Sequence, residues 1–199
     1  LPVCDAIVLP GSKATLADLA ALRAEGWDID IAAHRRRGGV VVGLCGGYQM
    51  LGMSVADPDG IEGTPGEAPG LGLLAVETVI GGDKSLIEVA GTEIASGAVV
   101  IGYEMHMGRT TGADAARPWL KLSGGRPDGA ISADGRVMGG YLHGIFGAGE
   151  FRKRFLERLR QGDFTDEDHC GRVERTLDQL AAHLEAHLDV EGLLKLARG

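Results

Sequence analysis

Apolar positions along the chain come in short unbroken runs and in longer stretches of helical spacing. The runs "DAIVL" at Asp5–Leu9 and "VVVGL" at Val40–Leu44 are rich in β-formers; Pro10 and Gly11 stop the first, and the second reads as a buried strand. Between them Leu16, Leu19, Ala20 and Leu22 recur at helical spacing, which predicts a helix over Thr15–Glu25 closed by Gly26. A second helix is predicted over Asp28–Arg37, ending at Gly38 and Gly39, and a third over Gly47–Met53. Strand, helices, strand, helix is the order of an α/β unit, whose parallel strands need crossover connections.

Further along, Asp57–Gly72, "DPDGIEGTPGEAPGLG", has no steady period and reads as a long loop of the kind that often carries function. Leu73–Ile80 and Val99–Gly108 read as strands. A hairpin is expected from Ala130–Ala133 and Arg136–Leu142 around the Asp134-Gly135 turn. Residues 150–199 then hold 20 of the 48 charged residues and fit two helices, Glu150–Gln161 and Arg172–Leu188. Val173, Leu177, Leu180, Leu184 and Leu188 form one stripe on the latter, expected to dock on the domain's own core, with a surface for another domain as the alternative.

Length and charge narrow the picture. With 199 residues, one domain with a sizeable core is expected. A net charge of -8 and no long basic run argue against nucleic acid as a partner. Cys4, Cys45 and Cys170 are odd in number and far apart, so a reducing, cytoplasmic setting is expected rather than a disulfide framework. Neither a membrane span nor a leader peptide is visible, and the opening "LPVC" without Met reads as an excised or processed piece. "PGSK" and "GLCGG" match neither phosphate-loop pattern, and His106 has no metal-ligand partners at suitable spacing, so no metal is expected.

Two residues carry candidate chemistry. Cys45 ends a predicted strand and opens a predicted helix, a corner that turns the thiol out of the sheet and favours thiolate. On that reading Gly43 allows close packing beneath the turn, while Gly46 and Gly47 leave the opposite side open for an oxyanion. A buried core thiol fits the same position. His143 in "GGYLHGIF", at the carboxyl end of the second hairpin strand, is the candidate base, and both residues then end strands on the edge where α/β sheets carry their sites.

The ordered set "LPGSK", "GLCGGYQMLG", "GLGLL", "GYEMHMG" and "DGRVMGGYLHGIF", across Asp5–Leu159, resembles the class I glutamine amidotransferase domain of the cobyric acid synthase family. "LPGSK" with "CGGYQMLG" is closer to that family than to cobyrinic acid a,c-diamide synthases. The resemblance implies a three-layer α/β/α, flavodoxin-like fold with a mostly parallel sheet over residues 1–199, of which 150–199 is a helical C-terminal part. It implies Cys45 as nucleophile, His143 as base, Gly11 and Gly46 as oxyanion donors, and Gln49, Tyr103, Glu104 and His106 beside the substrate. L-glutamine would be the substrate and no cofactor is implied in this domain. The resemblance also implies an N-terminal synthetase domain outside this sequence that would use ATP and Mg2+ to amidate a corrinoid with the released ammonia. The wider class carries a glutamate two residues after the histidine; here that position is Ile145. Two other functions fit the same residues: a catalytically silent interaction domain, and a cysteine hydrolase for another small amide.

Overall fold

A computed structural model describes residues 1–199 apart from Asp83, Lys84 and Gly199; the side chains of Ser85 and His106 are also outside the described set. The chain begins with β1 (Ala6–Leu9), α1 (Thr15–Ala24), α2 (Trp27–Arg36), β2 (Val40–Leu44) and α3 (Gly46–Leu51). Next come β3 (Ser54–Asp57), β4 (Gly66–Pro69), β5 (Glu77–Val79), β6 (Ser85–Glu93), β7 (Val99–His106) and β8 (Arg109–Thr111). Five short strands follow, β9 (Leu120–Leu122), β10 (Pro127–Asp128), β11 (Ala130–Ile131), β12 (Val137–Gly140) and β13 (Leu142–His143), then α4 (Gly149–Leu159), α5 (His169–His187) and α6 (Val190–Arg198).

The central sheet has the order β1-β2-β12-β11, with β1, β2 and β12 parallel and β11 closing a hairpin onto β12. The run Val40–Val42 is apolar at every position because both faces of β2 are covered. Val41 packs with Leu22, Ile31 and Leu51 of α1, α2 and α3, whereas Val40 and Val42 join Val89, Val100, Leu142, Phe151 and Phe155 on the other side. The result is a three-layer α/β/α arrangement, in which part of the second face is filled by an antiparallel sheet of order β10-β9-β6-β7-β13. A third sheet, β4-β3-β5-β8, lies beyond α3.

Several expectations need correction. The segment Asp57–Gly72 is no continuous loop, because β4 lies within it and pairs antiparallel with β3. "GEAP" pairs through backbone alone and is mostly exposed, so it leaves no apolar signature. The third helix stops at Leu51 rather than Met53, since Gly52 turns to extended backbone against Val76. Only Glu77–Val79 of the stretch Leu73–Ile80 is strand; Leu74 and Val76 are buried without joining a ladder. The hydrophobic pattern does not announce β6 either.

His143 is not at the end of the second hairpin strand. That strand ends at Gly140, and after Tyr141 the chain joins the antiparallel sheet as β13, pairing with β7. The stripe on α5 does not dock on the core: no residue of the helix is buried, and Leu177, Leu180 and Leu188 are each about half exposed. No helix among the described residues is long and apolar enough to cross a membrane.

Candidate active site

β2 delivers Cys45 to a sharp corner. The Cys45 N–H donates to Gly140 O at 2.9 Å, tying the corner to β12, and its own carbonyl accepts the first helical bond, from Gln49 N at 3.0 Å. In between, Cys45 takes φ 51° and ψ -114°; among the described residues it alone combines positive φ with a side chain. Such backbone strain is found where a side chain has to be presented at a strand-to-helix turn. The glycines after it serve contact rather than openness. A Cβ on Gly46 would lie 2.8 Å from Ser12 N, and one on Gly47 would lie 2.1 Å from Leu9 O, so the loop after β1 presses directly against the start of α3. Gly43 does allow close packing beneath the turn, where a Cβ would meet Gly47 O at 2.6 Å.

The loop after β1 brings Gly11 between the two candidate catalytic residues. A single methyl group there would touch His143 Cε1 at 3.1 Å and Cys45 Cβ at 3.6 Å. Cys45, His143 and Gly11 line one cavity of about 460 Å³ with Ser12, Lys13, Gln49, Ile61, Glu62, Met105 and Met107. The Cys45 thiol is nearly buried and donates to Met105 O at 3.5 Å.

Gln49 is buried and held at both ends of its amide. Thr15 Oγ1 donates to its Oε1 at 3.2 Å, while its Nε2 donates to Met107 O at 3.4 Å and to the Tyr141 hydroxyl at 3.5 Å. Burial pushes the Tyr141 phenol up, so it keeps its proton, and its oxygen is also bonded to Thr110, which pairs with Thr78. This polar chain ties the cavity floor to β5 and β8.

Two charged side chains of opposite sign, Lys13 and Glu62, stand at the cavity. Glu62 accepts the N–H of Thr15 at 2.8 Å, at the start of α1, where helix amides favour an anion. Its own loop is anchored by buried Asp57, which accepts the N–H groups of Ile61 and Glu62 at 2.8 and 2.9 Å. Sequence reasoning passed over Lys13 and Glu62 as site residues. Their signals were "PGSK" beside the first strand and the acidic residue of the Asp57–Gly72 segment.

The sequence-derived set is therefore divided. Cys45, His143, Gly11 and Gln49 line the cavity, and Gly46 directly follows the thiol at the start of α3. Tyr103 and Glu104 are not among its lining residues. Tyr103 instead stacks on the His143 ring, and Glu104 is buried in a two-pronged pair with the Arg126 guanidinium. The His106 side chain lies outside the described residues. Among the described residues no cluster of three or more His, Cys, Asp or Glu is arranged to hold a metal ion.

The family model for the CobB/CobQ-like glutamine amidotransferase domain matches residues 1–151. The chain is 60% identical over 194 residues to a cobyric acid synthase of Cereibacter sphaeroides, covering 98% of this chain and 40% of that protein. It is 59% identical over 192 residues to one of Bradyrhizobium diazoefficiens, covering 96% of this chain and 39% of that protein. It thus spans about 40% of the length of the curated relatives it matches. In fold it is similar to a glutamine amidotransferase crystal structure, with TM-score 0.56 at 17% identity over 78% of each chain. The PurLQS structure from Thermotoga maritima gives TM-score 0.57 at 19% identity, over 80% of this chain and 82% of that one. With the family model matched from the first residue through β1, the Cys45 corner and β13, the chain belongs to the CobB/CobQ-like glutamine amidotransferase domain family.

Proposed function

We propose that the chain hydrolyses L-glutamine and supplies the ammonia for amidation of a corrinoid, as the glutaminase half of a cobyric acid synthase. The observation that carries this reading is a strained cysteine corner opening into the same cavity as a histidine, with Gly11 against both.

Glutamine enters with its side-chain amide toward Cys45. Glu62 takes the α-ammonium and Lys13 the α-carboxylate, the two ends of the amino acid matching the two charges of the cavity. The thiol proton passes to the His143 imidazole as sulfur attacks the amide carbon. The N–H groups of Gly11 and Gly46 stabilise the oxyanion that forms. When the tetrahedral species collapses, the C–N bond breaks, His143 returns its proton to the leaving amine, and ammonia departs from a glutamyl thioester. A water molecule then gives its proton to His143 as it attacks the thioester carbon. The C–S bond breaks, glutamate leaves, and the proton returns to sulfur.

The acceptor is a peripheral carboxylate of adenosylcobyrinic acid a,c-diamide, bound by an N-terminal synthetase domain where ATP and Mg2+ supply the activation. That assignment rests on the family resemblance of the sequence motifs, and the similarity to longer proteins named cobyric acid synthase supports it. The reaction is set in the cytoplasm, which suits the exposed thiols of Cys4 and Cys170.

The test is glutamate release from glutamine by the wild-type protein and by Cys45→Ala, with and without the synthetase part. Loss of glutamate release in the variant is the expected result. Survival of the activity in a pure preparation would overturn the assignment.

A further inference from the structure

A catalytic histidine needs something to hold its ring, and here the usual means is missing. The residue two positions after His143 is Ile145, completely buried in the core cluster that also contains Phe151 and Phe155. Among the described residues, the buried Nε2 of His143 meets no hydrogen-bond partner. Among the described residues no carboxylate orients this imidazole as in a triad.

Packing fixes it. β13 pairs antiparallel with β7 in a register that sets His143 directly opposite Tyr103. The two rings are nearly parallel, with centroids 5.0 Å apart and an interplanar angle of 6°. Close approach of the strands depends on Gly102, where a Cβ would fall 1.9 Å from His143 O. The Gly11 backbone limits the ring at Cε1 from the side of the cavity. The imidazole is thus bounded by an aromatic face and a backbone edge, and it is free to turn only by breaking the stack.

We infer that Tyr103 is the positioning residue of His143, its ring doing by cross-strand stacking what a carboxylate hydrogen bond does in a triad. The inference rests on the glutaminase reading above. The phenol itself is not required, since the contact is face to face. The ring also lies under the positive charge that the imidazole acquires when it takes the thiol proton. Aromatic pairs of this kind are worth about 0.5–1.5 kcal/mol, which corresponds to a loss of about 2- to 13-fold in rate when the pair is removed.

The experiment compares Tyr103→Phe and Tyr103→Leu in the full enzyme, reading kcat and KM for glutamine separately, with thermal melting as a check on the fold. Tyr103 is 39% exposed, so neither change opens a large cavity. The Phe variant should keep kcat within about twofold, and the Leu variant should lose about tenfold in kcat at nearly unchanged KM. The inference is overturned by a Leu variant with wild-type kcat. It is equally overturned by Phe and Leu variants that fall together, which would assign the role to the hydroxyl, or by an effect on KM alone, which would make Tyr103 a substrate contact. A wild-type enzyme that releases no glutamate overturns the glutaminase reading itself, an outcome separate from all of these.

Discussion

Asp128 is a buried carboxylate that the protein tolerates at a cost, and replacing it with asparagine should reveal that cost. It lies on β10, where its two oxygens accept the N–H of Tyr141, the residue between β12 and β13, at 3.4 and 3.1 Å. Burial pushes its pKa from 3.8 up to about 6, and the nearby Glu104 carboxylate adds to the rise; the Tyr141 N–H and the Arg126 guanidinium pull the other way. Below pH 3.8 the group is protonated in the folded and unfolded chain alike and costs nothing. As pH rises from there to about 6, the unfolded chain gives up its proton while the folded chain keeps it, so folding loses stability across that window. Above it the full penalty applies. At about 1.4 kcal/mol per unit, a gap of some two units amounts to about 3 kcal/mol, less whatever the new amide N–H groups lose on burial. Asp128→Asn keeps an oxygen for the Tyr141 N–H and removes the charge. Urea unfolding at pH 7.5 should show a gain of about 1–3 kcal/mol, shrinking markedly at pH 4.5. A variant less stable than wild type at pH 7.5, or a gain of equal size at both pH values, would refute the reasoning.

Other substitutions probe the corner and the loop. Gly47→Ala puts a Cβ against the Leu9 carbonyl and should destabilise by about 3 kcal/mol, the upper end for overpacking, seen as a large fall in urea midpoint or loss of soluble protein. Asp57→Ala leaves the N–H groups of Ile61 and Glu62 without their acceptor and loosens Glu62. The KM for glutamine should rise about tenfold with kcat much less affected, which steady-state kinetics will register.

The core of the fold is legible because its signals are strong and local. Val40–Leu44 is apolar throughout since β2 is covered on both faces, and the Asp134-Gly135 turn between β11 and β12 is written in the residues that the turn demands. The Cys45 corner is likewise visible, as it needs its glycines. The antiparallel sheet is only partly so. β7 lies within the strand expected over Val99–Gly108, but β6 goes unannounced, because Leu86 and Ile87 are both exposed and break the alternation that marks a half-buried strand. Tyr103 and Glu104 are expected beside the substrate through the family resemblance of "GYEMHMG". The register of β7 against β13, a long-range property, sets Tyr103 against the His143 ring, and the Glu104 carboxylate meets Arg126. The stripe on α5 has helical spacing whether or not anything covers it, so period alone does not tell docking from exposure.

The chain changes sheets between Gly140 and Leu142, with a single residue, Tyr141, in the crossing. The thiol therefore rides on one ladder of backbone hydrogen bonds and the imidazole on another, and the seam between the ladders runs through the candidate site. A slip of the seam alters the sulfur-to-nitrogen separation while each sheet stays intact. Chemistry in such a molecule fails before the fold does: on heating, glutamine hydrolysis should fade some degrees below the temperature at which either sheet melts.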